Sequence, residues 1–155
     1  MKQDTSYELL AKQAEELIVD NKFFISALSN ISALLNQALE EVNWVGFYLR
    51  KEDTLYLGPF QGEVACVEIP KDRGVCGSAL TRSETILVKN VHDFPGHIAC
   101  DSTTNSEIVV PIKFAGEVVA VLDLDSREFE RFDMEDQKGL EKVVKVIEKH
   151  WKSIF

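Results

Sequence analysis

Three cysteines, Cys66, Cys76 and Cys100, give this 155-residue chain its widest chemical range. The count is odd and no two of them form a C-x-x-C pair, so a structural disulfide framework is not indicated. Each is a core filler, a metal ligand or a reactive thiol. Cys100 falls within residues 90–106, which show little periodicity. A thiol there need not be buried as structural cysteines are, although an incidental loop cysteine is the competing reading. His97, three residues earlier, either lowers the thiol's pKa or is an ordinary hydrogen-bonded loop histidine. Cys66 belongs to an expected strand and Cys76 to the expected turn Gly74-Val75-Cys76-Gly77. Zinc held by Cys66, Cys76, Cys100 and His97 would have no short ligand pairs, and no metal is expected.

Two other groups stand out. In the run Val118–Asp125, Asp123 and Asp125 share a strand face with Val119 and Val121, while Val118, Ala120, Leu122 and Leu124 face the core. Two carboxylates so placed repel each other, so a half-buried pair needs a reason; a solvated strand end is the alternative. In Asn43–Leu49, Trp44, Gly46 and Tyr48 share one face and Val45, Phe47 and Leu49 the other. The second set is a plain core face. On the first, two aromatics flank a glycine that leaves an open slot, unless it is a second core face under a helix.

These side chains need a scaffold. Thr5-Ser6-Tyr7-Glu8 reads as a capping box, followed by Tyr7, Leu10, Ala14 and Leu17 at helical spacing. A second helix is expected from about Asn21 to Glu41, with Phe24, Ala27, Ile31, Leu34 and Ala38 on one stripe. Asp133 caps a last helix whose apolar face is Leu140, Val144, Ile147, Trp151 and Ile154. Between them lie β-type runs at Asn43–Leu49, Thr54–Phe60, Val64–Ile69, Thr85–Lys89, Glu107–Lys113 and Glu117–Asp125. The loop 90–106 exceeds the roughly 12–15 residues beyond which loops are usually functional or disordered. The expected architecture is a single α+β domain over residues 1–155, a central antiparallel sheet of about six strands flanked by N- and C-terminal helices.

Composition narrows the partners. A formal net charge of −9 disfavours nucleic acid, whose phosphates require clustered Lys and Arg, and anionic lipid equally. The start of the chain, Met1-Lys2-Gln3-Asp4, leads into no apolar signal core. No stretch approaches the roughly 20 apolar residues of a membrane span, so a cytoplasmic location is expected.

Taken together, Asn43–Leu49, Leu57–Gly62, Gly74–Gly77, His92–Pro111 and Asp123–Ser126 resemble the free methionine-(R)-sulfoxide reductases, which are single GAF-type domains. The similarity spans residues 43–136. GAF sensor domains in general do not carry this cysteine set or the cysteine-bearing loop. Departures are small: Ala120 stands where a glycine is common and Ser78 where a threonine is. The resemblance implies that Cys100 is the attacking thiolate, Cys66 the main resolving thiol and Cys76 a secondary one. Glu107, Asp123 and Asp125 would be the substrate-binding and proton-handling carboxylates, with Trp44 and Tyr48 walling the thioether end. It implies no metal or organic cofactor, free methionine-(R)-sulfoxide as substrate and thioredoxin as reductant.

That chemistry is physically coherent. Reducing a sulfoxide requires attack on sulfur, which a thiolate supplies, and protonation of the oxygen, which a carboxylic acid supplies. Three crowded carboxyls keep one protonated near neutral pH, and the remaining charge suits an ammonium group. A cysteine sulfenic acid results, and a nearby thiol condenses it to a disulfide. The alternative is a non-catalytic GAF module that senses a small ligand, with incidental cysteines. The terminal helices could pair two subunits as a homodimer.

Overall fold

A computed structural model describes residues 6–98 and 100–155. Helices α1 (Tyr7–Ile18) and α2 (Phe24–Ala38) precede strands β1 (Trp44–Lys51), β2 (Thr54–Gln61) and β3 (Glu68–Pro70). Helix α3 (Gly74–Arg82), β4 (Ile86–Val88), a 3-10 turn at Val91–Asp93, β5 (Ser106–Phe114), β6 (Glu117–Ser126) and α4 (Met134–Lys149) follow. The strands form one antiparallel sheet in the order β3-β2-β1-β6-β5-β4. Long β1 and β6 lie at its centre and short β3 and β4 at its edges, which limits unpaired edge.

The alternation along β1 divides the interior. Val45, Phe47 and Leu49 join Ile108, Ile112, Leu122 and Leu124 beneath α1, α2 and α4. Trp44 and Tyr48 join Val109, Val121 and the α3 residues Val75, Cys76 and Ala79 on the other face. The second face is thus covered by one short helix and by loops, and there the sheet can hold a cavity. Among the described residues no helix is long and apolar enough to cross a membrane.

Several boundaries differ from expectation, each for a local reason. Ser6 caps α1, its hydroxyl accepting from Leu9 N at 3.3 Å, while Thr5 lies outside the described residues. Helix α2 is shorter than the expected Asn21–Glu41; the Asn21 carboxamide accepts from Phe23 N at 2.9 Å and holds the entry non-helical. Helix α4 has the expected Asp133 cap but ends at Lys149; Trp151 lies beyond it and meets the Phe24 ring edge-on at 4.9 Å. Val64–Ile69 is mostly not strand: only Glu68–Pro70 pairs, and Val64 and Val67 are exposed. In β6, opposite an irregularity between Ile112 and Lys113, Val118 joins the α3 face and Val119 packs toward the helical core, the reverse of a strict alternation.

Candidate active site

The α3 face holds a cavity of about 50 Å³. Strand register builds its floor. Asp125 of β6 lies opposite Glu107 of β5 on one side and Trp44 of β1 on the other. One step along, Asp123 lies opposite Gly46 and Val109. Three acidic side chains are thereby delivered to one patch by elements fixed in the sheet. Glu107 is 6% exposed and Asp123 5%, while Asp125 is half-buried. The solvated strand end is therefore not what forms.

Burial pushes the carboxyls of Glu107, Asp123 and Asp125 upward, and for Glu107 the neighbouring aspartates push further. Asp123 is partly held down because it accepts hydrogen bonds from Glu107, Cys76 and Asp125. The arrangement is one of shared protons, with Asp123 the member that ionises most readily. Among the described residues, Oδ1 of Asp123, Oδ1 of Asp125, Oγ1 of Thr104 and Oδ1 of Asn43 are buried without a hydrogen-bond partner. Unsatisfied buried acceptors are costly, and the first three belong to residues lining this cavity. They suit a ligand that brings several N–H or O–H donors.

The aromatics do two things. Trp44 and Tyr48 line the cavity with ring centroids 5.8 Å apart. Their polar tips also tie down residues 62–67: Trp44 Nε1 donates to Glu63 O at 3.1 Å and Tyr48 OH donates to Cys66 O at 3.0 Å. The open slot expected at Gly46 is closed. Phe60 fills it from β2, so close that a Cβ on Gly46 would stand 2.3 Å from Phe60 Cβ, and its ring stacks on Trp44 at 5.2 Å.

The cysteines occupy unlike settings. Cys66 is half-buried in the irregular segment before β3, not on a strand. Cys100 is exposed in the long loop, and the two are joined as a disulfide with Cα atoms 5.6 Å apart. Cys76 is free and buried in the first turn of α3, where the sequence suggested only a turn. Val75, Cys76, Ala79 and Leu80 do repeat at helical spacing, but the glycines at 74 and 77 hide the helix. Gly74 opens it with φ +61, and a Cβ there would press on the Ile98 side chain at 3.2 Å. Burial pushes the Cys76 thiol up, and the carboxylates of Asp123 and Glu107 push it further.

Loop residues complete the rim. Asn43 Nδ2 donates to Asp101 Oδ2 at 3.3 Å, and Thr103 N donates to Asp101 Oδ1 at 2.8 Å. His97 Nε2 stands 4.0 Å from Glu107 Oε1; burial, then His92, push the imidazole pKa down, so His97 is a neutral neighbour and not a charge partner. The sequence reading missed Asn43, Thr104, Asp101 and the α3 N-terminus as site components. Asn43 and Thr104 carry no signal of their own, since a polar residue at a strand entrance or in a loop is unremarkable until the fold buries it.

The chain is similar to proteins of known kind. The GAF domain family matches residues 28–148. The free methionine-R-sulfoxide reductase of Escherichia coli (strain K12) is 48% identical over 92% of this chain and 87% of its own. The structure of fRMsr of Staphylococcus aureus in its reduced form superposes with a TM-score of 0.92 at 51% identity, covering 97% of each chain. A free methionine-R-sulfoxide reductase from Neisseria meningitidis, solved in complex with its substrate, gives 0.90 at 38% identity over 97% of this chain and 93% of its own. The protein belongs to the free methionine-R-sulfoxide reductase family, built on the GAF domain.

Proposed function

We propose that the protein reduces free L-methionine-(R)-sulfoxide to methionine, with Cys100 as nucleophile, Cys66 as the main resolving thiol and Cys76 as a secondary one. The observation that carries this reading is a joined pair of cysteines, of which Cys100 lines a cavity floored by the buried carboxyls of Glu107 and Asp123 and the half-buried one of Asp125. The substrate's ammonium group binds the ionised part of that floor, and its thioether end lies against Trp44 and Tyr48. Its carboxylate takes the N-terminus of α3, whose first backbone N–H groups have no helical acceptor and border the same cavity.

The Cys100 thiolate attacks the sulfoxide sulfur while a protonated carboxyl of the cluster gives its proton to the oxygen. Methionine leaves and Cys100 becomes a sulfenic acid. The Cys66 thiol then attacks that sulfur, a disulfide forms and water departs. Thioredoxin returns the pair to thiols. The joined cysteines correspond to the end of the oxidative half of this cycle. The reaction needs no metal or organic cofactor, because thiol and carboxyl supply all its steps. Residues 1–155 act in this reading as one cytoplasmic GAF domain, with homodimerisation through the terminal helices.

The test compares both sulfoxide epimers, free and peptide-bound, with a thiol reductant. Turnover of the free R epimer with little of the S epimer or of peptide sulfoxide is expected, because peptide linkage removes the ammonium charge and adds chain that an enclosed site cannot house. Comparable turnover of an N-acetylated sulfoxide overturns the reading.

A further inference from the structure

The cycle above closes on Cys66 and Cys100 and leaves the thiol of Cys76 beneath them. It has two close carboxyl neighbours. One donor atom each from Cys76, Glu107 and Asp123 lie within 4.8 Å of one another, and all three residues are buried. They come from α3, β5 and β6, so three different elements converge on one point. A cluster of this kind is not in itself a site. Two further facts point to a ligand: Asp123, 5% exposed, keeps Oδ1 unpartnered, and so does Thr104 Oγ1, 5% exposed on the same cavity. The described lining residues bring only Arg73 and His97 as basic groups against four carboxyls, Asp101, Glu107, Asp123 and Asp125, so the cavity is short of cationic charge.

We propose that Cys76, Glu107 and Asp123 bind a borderline-soft divalent cation of the zinc class, and that this cation and the substrate exclude one another from the cavity. One sulfur and two carboxylate oxygens, with water in a fourth position, make a tetrahedral set that zinc and cadmium accept. The thiolate selects against magnesium and calcium, which take oxygen donors alone. Binding is a proton exchange without redox change: the cation enters, the Cys76 thiol and any protonated carboxyl release their protons, and metal–sulfur and metal–oxygen bonds form. Asp125 beside Glu107 across the strands, and His97 at 4.0 Å from it, remain as neighbours that orient the ligands. The site stands on its own geometry. Exclusion of substrate rests on the reading that the ammonium group uses the same carboxylates.

The experiment is a cadmium titration of the oxidised protein, in which the Cys66–Cys100 bond leaves Cys76 as the one thiol. The expected result is a thiolate-to-cadmium charge-transfer band that saturates at one ion per chain. Glu107→Gln weakens the apparent affinity at least about tenfold, Cys76→Ser removes the band, and excess methionine shifts the midpoint upward. No band at saturating cadmium in the unmodified protein overturns the site, whether or not Cys76→Ser folds. A band that methionine does not move overturns the exclusion. A reductase reading that is itself wrong shows separately, as absent turnover in metal-free protein with the cadmium band intact.

Discussion

Three carboxyls gathered in one patch beneath α3 pull in opposite directions on chemistry and on stability. Their raised pKa values mean that the folded chain holds protons which the unfolded chain has released above about pH 4. The folded state binds more protons, so stability falls as pH rises from there toward the raised values. Glu107→Gln and Asp125→Asn remove that cost with little change in volume. Each variant is expected to melt higher than the parent at about pH 7.5, with the difference shrinking toward about pH 4. Each is also expected to lose about 10²–10⁴-fold in turnover, if it supplies the proton. Thermal melts across pH and steady-state kinetics decide this, and variants with unchanged melting and unchanged kinetics would mean a solvated acidic edge. Cys100→Ser is expected to abolish turnover, because a hydroxyl without an adjacent base is a poor nucleophile. An active Cys100→Ser enzyme would overturn the assignment of the nucleophile.

Among the elements, β1 and β2 bring the site its aromatic wall, and they can do so only because residue 46 has no side chain. A Cβ at Gly46 would meet Phe60 Cβ at 2.3 Å and Pro59 O at 2.9 Å, and neither a neighbouring strand's backbone nor a stacked ring gives way easily. Gly46→Ala is therefore expected to destabilise by about 1–3 kcal/mol, as overpacked cores do. It should also raise KM more than it lowers kcat, since Trp44 moves with the strand. Denaturant melts and a KM measurement check both, and a neutral substitution would mean that the Phe60 ring swings aside. The slot was legible in the sequence, but its filling was not. Alternation along β1 gives the faces of Trp44, Tyr48 and Phe47, whereas Phe60 reaches Gly46 only through the β1–β2 register. The same limit explains α3: a nine-residue helix with two glycines looks like a turn until the cover it gives the second sheet face is seen. Asp123 and Asp125 could be placed on one face by counting, but their burial follows from α3 and the loops above them. Periodicity reports faces, and what covers a face is a long-range fact.

For the molecule as a whole, the sheet separates a well-packed side under α1, α2 and α4 from a side roofed by α3 and by the irregular residues 62–67, 97–98 and 100–104. Those segments are held by a few side-chain hydrogen bonds from Trp44, Tyr48 and Asn43, and by the Cys66–Cys100 bond. The bond spans 34 residues of sequence. By chain entropy a crosslink of that length stabilises by about 3–4 kcal/mol, so the oxidised protein should melt higher than the reduced one. On the proposed cycle, the roof is expected to be looser with the cysteines as thiols, the state that takes up substrate, and tighter once the disulfide has formed. Cys66→Ser separates these roles. It cannot form the bond, so its melting temperature should not depend on redox state and should match that of the reduced parent. It keeps Cys100, so it should still release about one methionine per chain in a single turnover and then stall with thioredoxin as reductant, because no disulfide forms for thioredoxin to open. Small thiols attack a sulfenic acid directly and should partly restore turnover. Rapid-quench measurement of methionine, beside peptide mapping of substrate-oxidised parent protein, makes the decision. A dominant Cys76–Cys100 bridge would exchange the roles of Cys66 and Cys76, and sustained thioredoxin-driven turnover of Cys66→Ser would mean that the roof bond is structural and not part of the cycle.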